Sequence, residues 1–201
     1  MKFFRDTFSP LSGKKILDVG GGMFNWNLID EKIYLTIVNI NIKDNELPRN
    51  DFINCVLGDG TKLPFKDNSF DIVFSNSVIE HLGTWERQYL FAKEIMRVGK
   101  NIFVQTPNKY FFIEPHVMTP FIHYLPKKIQ KKIIRNFTLW GLITRPTKKY
   151  CAEQVIDKIR LLSCNEFSTL FPNCEIKKEK FLSFFDKSFY AIYKSDADTR
   201  G

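Results

Sequence analysis

Apolar positions along this chain fall into short, nearly continuous runs set between polar turns. Lys15 to Val19 is the first such run, and it enters a triple-glycine turn. Ile33 to Asn39 and Phe52 to Leu57 follow, then Phe70 to Ser75 and Asn101 to Thr106. Runs of this length, rich in β-branched residues and without strict alternation, predict strands of a parallel sheet covered on both faces. Trp85 to Val98 has helical spacing instead, with apolar residues at Tyr89, Phe91, Ile95 and Met96 and a stop at Gly99. Cys151 to Leu162 predicts another helix. Glu175 to Leu182 and Ser188 to Tyr193 predict a final antiparallel pair of strands. The Ile40–Asp51 link, with Pro48 inside it, has room for one turn of helix at most, so the sheet edge beside it is expected to be thinly covered.

Composition changes this picture little. The 201 residues suit one domain, 1–201, with 44% hydrophobic and 26% charged residues. Twenty phenylalanines supply large aromatic surfaces for a core or a pocket. No apolar run approaches the ~18 residues of a membrane span, and the N-terminus has no run long enough for a secretory signal. Four cysteines without C-x-x-C spacing suit free thiols and a cytoplasmic location.

Charge changes it more. Eleven basic residues and three acids lie between Asn108 and Arg160, which accounts for the whole net charge of +8. A basic segment on a neutral body fits either an acidic partner or a solvated helix face.

Lys15-Ile-Leu-Asp-Val-Gly-Gly-Gly22 is a strand running into a glycine turn, with a polar segment expected to start a helix at Asn25. This arrangement makes a nucleotide site at the carboxyl end of a first strand, or simply a tight turn. A dinucleotide fingerprint fails here: the third glycine would fall at Asn25 and the acid at Asn39. A P-loop fails because Met23 follows Gly22.

Five motifs in order then resemble the class I S-adenosylmethionine-dependent methyltransferases, in particular the small type 11 branch. They are Asp18-x-Gly20-x-Gly22; Leu57-Gly-Asp59-Gly60 with Leu63-Pro-Phe65; Asn68 to Asn76 with Val78-Ile-Glu-His-Leu82; Met96 to Lys100; and Glu166-Phe167 with Leu170-Phe-Pro172. The resemblance implies a Rossmann-like, seven-stranded, mostly parallel sheet with an antiparallel last strand, helices on both faces and a basic helical lid at 107–150 after strand five. It implies S-adenosyl-L-methionine as cofactor, held by Asp18, Gly20, Gly21, Gly22, Asn39, Ile40, Asp59, Gly60, Ser75 and Asn76. Asn39, ending strand two, would bond the ribose hydroxyls, Asp59 the adenine amine, and the Ser75 and Asn76 carbonyls the cofactor's amine. Two positions depart from the family pattern. Asn39 stands where an acid is usual, removing charge assistance from those bonds. Phe24 stands where a further glycine is frequent, with a ring expected to narrow the pocket or stack beside the cofactor.

His81 and His116 are the candidate catalytic residues, since imidazole titrates near neutrality; either can instead order a loop. The resemblance also makes Glu80 with His81 a candidate metal pair, although no metal is assigned. Glu114 and His116, in the stretch after strand five, are placed to face an acceptor. From Pro126 an apolar stripe of Ile129, Ile133, Ile134, Phe137 and Trp140 is flanked by Lys127, Lys128, Lys131, Lys132 and Arg135. The segment 126–140 is expected to cap the site with its stripe on the sheet, or to touch an anionic membrane. Nucleic acid is disfavoured as acceptor: Ser75-Asn76-Ser77-Val78 is not the Asn/Asp-Pro-Pro-aromatic signature of base-amine methylation, and no cysteine lies near Thr106-Pro107. The expected activity is methyl transfer to oxygen of a small-molecule, saccharide or lipid-linked acceptor. The alternative is a methyltransferase-like binding module without turnover.

Overall fold

A computed structural model describes residues 1–41 and 51–195. Seven strands form one sheet: β1 (Lys15–Val19), β2 (Tyr34–Asn39), β3 (Ile53–Leu57), β4 (Phe70–Asn76), β5 (Gly99–Pro107), β6 (Glu175–Phe181) and β7 (Phe185–Tyr193). Their spatial order is β3-β2-β1-β4-β5-β7-β6, and only β7 runs against the direction of the other six. The order reverses between β1 and β4, which leaves a crevice at the carboxyl ends of the strands. Residues 42–50 of the Ile40–Asp51 link lie outside the described residues.

The central strands are buried on both faces, as their unbroken apolar runs predict. One face packs Leu17, Val73, Ile102 and Val104 against α3 (Trp85–Val98) and a later helix, Cys164–Leu170. α3 starts and stops where predicted. The Thr84 side chain accepts from the Arg87 N–H at its start, and Gly99 leaves the helical conformation at its end.

The opposite face is covered mainly by an unexpected element, α1 (Lys2–Phe8). Phe4 and Phe8 stand one turn apart and both are buried. The Phe4 ring meets Trp26, Phe74 and Phe103 edge-on, with centroids 5.1–5.9 Å apart. The helix expected to begin at Asn25 is instead a single turn, α2 (Met23–Trp26), ending where Trp26 is buried in this cluster. The edge strand β3 is only half covered.

Between β5 and the Cys164–Leu170 helix lies the lid. It holds a two-residue ladder pairing Ile113–Glu114 with Thr119–Pro120, then α4 (Lys127–Phe137) and α5 (Leu139–Thr144). The expected stripe does not pack on the sheet. Ile134 joins Val117, Ile122, Cys151 and Ile156 in a small core of the lid's own, with Ile133 and Trp140 against it. Ile129 and Phe137 are exposed, the latter at 72%. The stripe breaks because Thr138 turns the chain. Its hydroxyl donates to the Ile134 carbonyl (2.5 Å) and accepts from the Gly141 N–H (2.9 Å), ending α4 and capping α5 with one side chain. Gly141 lies so close to α4 that a β-carbon there would stand 2.4 Å from the Ile134 carbonyl oxygen.

The helix expected over Cys151–Leu162 is shorter. A wide π turn spans Cys151–Ile156, after which the chain is drawn to the sheet body. The Arg160 N–H donates to the Glu80 carbonyl, and the Leu162 carbonyl accepts from the Lys109 N–H. These tertiary bonds take the place of a continued helical ladder. α6 (Cys164–Leu170) follows, opened by a capping box between Ser163 and Glu166.

Candidate active site

β1 ends at Val19, and Gly20 turns the chain with φ +84°. A β-carbon at Gly20 would stand 2.6 Å from Val78 Cγ1, so conformation and space both require glycine. Gly21 closes directly over Asp18: its β-carbon would lie 1.9 Å from Asp18 Oδ2. Gly22 has open space beside it.

The turn borders a cleft of about 610 Å³ at the carboxyl ends of the strands, within the usual range for small-ligand sites. Gly20, Asn39, Ile40, Asp59, Gly60 and His81 line it, so six of the residues named from sequence converge on one cavity. Asp18 lies beneath the turn instead of in the cleft wall. It is fully buried; its Oδ2 accepts from Trp26 Nε1 at 2.6 Å and its Oδ1 has no hydrogen-bond partner. Burial pushes its carboxyl up to about 7, against the opposing pull of the Trp26 bond. Ser75 is buried, its hydroxyl tying β4 to β1 by donating to the Val19 carbonyl (3.0 Å). Asn76 is exposed, and the cleft wall beyond β4 is formed by Ser77 and Val78. The Phe24 ring neither narrows this cleft nor joins its wall: it is 84% exposed and points to solvent from the one-turn α2.

Asn39 Nδ2 donates to the Gly21 carbonyl at 3.3 Å, bracing the turn. Asp59 is already engaged. Oδ1 accepts from the Thr61 N–H and hydroxyl, and Oδ2 from Arg87 Nη2 at 3.0 Å. Partial burial opposes ionisation, but these bonds hold the carboxyl below its usual range. Sequence reasoning missed Arg87; nothing in a first-turn helix arginine marks which carboxylate it reaches.

At the cleft edge the structure brings His81 and His116 together. Their Nε2 atoms are 3.2 Å apart and their rings perpendicular, at 89°. Glu114 Oε1 lies 2.6 Å from His116 Nδ1, and Glu114 Oε2 accepts from the Val117 N–H at 2.9 Å. Glu80 is fully buried next to them. Its Oε2 accepts from the Thr106 hydroxyl (3.1 Å), while Oε1, 4.0 Å from His116 Nε2, has no hydrogen-bond partner in another residue. Burial pushes Glu80 up to about 7. Burial, with the neighbouring His116, takes His81 down to about 4. Burial works against protonating His116 too, but the Glu114 hydrogen bond and charge outweigh it and raise its pKa.

A second cavity of about 380 Å³ lies under the lid, lined by Glu114, Val117, Ile122, His123, Gln130 and Ile134 among others. Gly83 borders both cavities.

The methyltransferase domain family of type 11 matches residues 17–101, from β1 to the start of β5. This match supports reading the segment as a class I S-adenosylmethionine-dependent methyltransferase domain. Solved structures agree in fold. A SAM-dependent methyltransferase from Methanosarcina mazei superposes with a TM-score of 0.55 at 15% identity, covering 94% of each chain. A protein described as a putative zinc-dependent alcohol dehydrogenase from Rhodobacter sphaeroides gives 0.63 at 13% identity, over 97% of this chain and 90% of that one. A chain in the complex of the Haloferax volcanii Trm112 methyltransferase activator with a putative methyltransferase gives 0.55 at 13%, over 95% and 86%. At such identities these likenesses carry the fold alone. No curated protein matches the sequence.

A methyltransferase domain implies S-adenosyl-L-methionine as cofactor, and the residues present fit it. The cleft is of ligand size, the glycine turn leaves open space at Gly22, and the buried Asp18 beneath it has an unpartnered oxygen that favours a positively charged ligand above. No helix among the described residues is long and apolar enough to cross a membrane.

Proposed function

We propose that this methyltransferase methylates an oxygen of a small-molecule, saccharide or lipid-linked acceptor seated beneath the lid. The observation that carries this reading is the chain of side chains from His81, in the cofactor-cleft wall, through His116 to Glu114, in the wall of the lid cavity. Gly20, Asn39, Ile40, Asp59 and Gly60 would hold the cofactor, with Asp18, Gly21 and Gly22 shaping the turn and Ser75 and Asn76 presenting backbone carbonyls. Bound S-adenosylmethionine supplies an electrophilic methyl group. The chain's own task is then to orient the acceptor, exclude water and take one proton. His81 faces the cleft and receives that proton; His116, 3.2 Å away, shares it, and Glu114 stabilises the resulting imidazolium.

Calorimetric titration with S-adenosylhomocysteine, with NAD as control, tests the cofactor site. Micromolar binding of the first alone, about −8 kcal/mol, is expected, and binding of neither removes the reading. The acceptor class is then tested by acceptor-dependent release of S-adenosylhomocysteine from hydroxylated compounds.

Binding without turnover is the second reading. It is favoured by Asn39 in place of an acid and by the engagement of Asp59 with Arg87 and Thr61. Peripheral membrane contact through 126–140 is supported by exposed Ile129 and Phe137 beside the lysines of α4. It fails if binding to anionic liposomes survives reversal of Lys127, Lys128, Lys131 and Lys132 to Glu.

A further inference from the structure

We infer that Glu80, His81 and His116 form a site for one divalent transition-metal cation, placed between the cofactor cleft and the lid cavity. The three ligand atoms lie within 4.8 Å of one another. Two imidazole nitrogens bound to one metal at about 2.0–2.1 Å stand roughly 3.0 Å apart at a right angle and 3.4 Å apart at a tetrahedral angle. The observed Nε2–Nε2 separation of 3.2 Å falls between these. Glu80 Oε1 is the third ligand. A fully buried carboxylate oxygen without a partner in another residue is costly, and 4.0 Å from His116 Nε2 it needs to close by less than about 1 Å to share an ion.

The outer groups match the same purpose. Glu114 Oε1 at 2.6 Å from Nδ1 fixes the His116 ring and its tautomer, leaving Nε2 as the ligating nitrogen, and Val117 fixes Glu114 in turn. Carboxylate–histidine pairs of this kind orient metal ligands and raise their basicity. Two imidazoles and one carboxylate favour zinc, iron(II), cobalt(II) or manganese(II) over the all-oxygen preference of calcium and magnesium. Three protein ligands leave coordination positions open. His81 lines the cofactor cleft and Glu114 the lid cavity, so an acceptor oxygen placed between them would complete the set. The ion would orient that oxygen and acidify its hydroxyl, and with both Nε2 atoms ligating it this replaces the proton transfer to His81, the proton leaving to solvent instead.

This deepens the methyltransferase reading, but the binding itself does not rest on it. The test uses the untagged full chain, stripped with chelator and titrated calorimetrically with zinc, manganese and magnesium, and spectroscopically with cobalt. One zinc or cobalt ion per chain is expected at micromolar affinity or better, with magnesium at least tenfold weaker. His116→Gln and Glu80→Gln should each lower affinity at least tenfold, and Glu114→Gln about 10–100-fold, with loss of the cobalt visible bands. Each variant is first shown to be folded by its thermal transition. His81→Gln, at the more exposed ligand, stands in for any that is not. Absence of stoichiometric binding at 100 µM metal, roughly the weak limit for a useful site, overturns the inference, as does binding that survives His81→Gln. S-adenosylhomocysteine is titrated into the same metal-free protein. Its binding without metal binding sinks the metal site and leaves the cofactor reading standing; metal binding without it does the reverse.

Discussion

The sheet body and the lid are built on different principles, and the difference explains where this chain concentrates its chemistry. The body is neutral in charge and buries Leu17, Val73, Phe91, Phe103 and Phe167 in two continuous layers, one on each face of the sheet. The lid carries the whole excess of positive charge yet gathers only a handful of side chains, Val117, Ile122, Ile134, Cys151 and Ile156, into a core of its own. The body can therefore hold costly groups in place: a buried Asp18 under the glycine turn and a buried Glu80 at the junction. The lid contributes Glu114 and His116 from a short ladder whose geometry is set by contact with that body.

The largest expected effect separates the two layers of packing. Phe4→Ala should cost about 3–5 kcal/mol by opening the aromatic cluster on the α1 face, lowering the thermal midpoint by roughly 6–20 °C. Phe137→Ala, an equal deletion on the exposed side of the lid, should stay within about 0.5 kcal/mol. Equal effects on thermal melting would abolish the contrast.

Next in size is the pH dependence rooted in Asp18. Its folded pKa, about 7, lies above its ordinary value of 3.8, so the native state holds the proton more tightly than the unfolded chain. That contribution is complete below 3.8, is lost as pH rises, and is gone above about 7. Asp18→Asn keeps an acceptor for Trp26 and removes the ionisation. The variant should gain roughly 2 kcal/mol over the parent at pH 8, after the cost of an unpaired amide, and lose that advantage by pH 4. Urea unfolding at both pH values measures it. A parallel loss of S-adenosylhomocysteine affinity at pH 8 is expected if the carboxylate favours the bound cofactor.

The smallest effect is at the cleft rim. Asn39→Asp should strengthen S-adenosylhomocysteine binding by up to about tenfold through charge-assisted bonds to the ribose. An unchanged affinity would mean that position 39 serves chiefly to brace the Gly21 carbonyl, as its present hydrogen bond does.

The same contrast accounts for what the sequence reveals. β1 and β4 announce themselves because nearly all their side chains are buried, α3 because one face is, and the glycine turn after Val19 and the Thr84 cap add local end signals. Gly20, Asn39, Ile40, Asp59 and Gly60 were named through the family resemblance, and the strand order then brings their turns to one rim. α1 escaped notice because seven residues with two buried phenylalanines give too short a period to read. The end of the helix after Cys151 and the fate of the α4 stripe were set by non-local bonds: Arg160 to Glu80, Lys109 to Leu162, and Thr138 to its two neighbours. His81 and His116 were identifiable singly. Their pairing across 35 positions, and the place of Glu114 behind His116, depend on how the lid folds back and have no local signature.

Gly141 gives the lid a mechanical character. With backbone against backbone where α5 leaves α4, and a single hydroxyl bonded to both helices at the corner, the bend has no slack to take up. It is a stiff elbow: force on the exposed outer arm is delivered to Ile134, and so to the cavity wall, with little absorbed on the way.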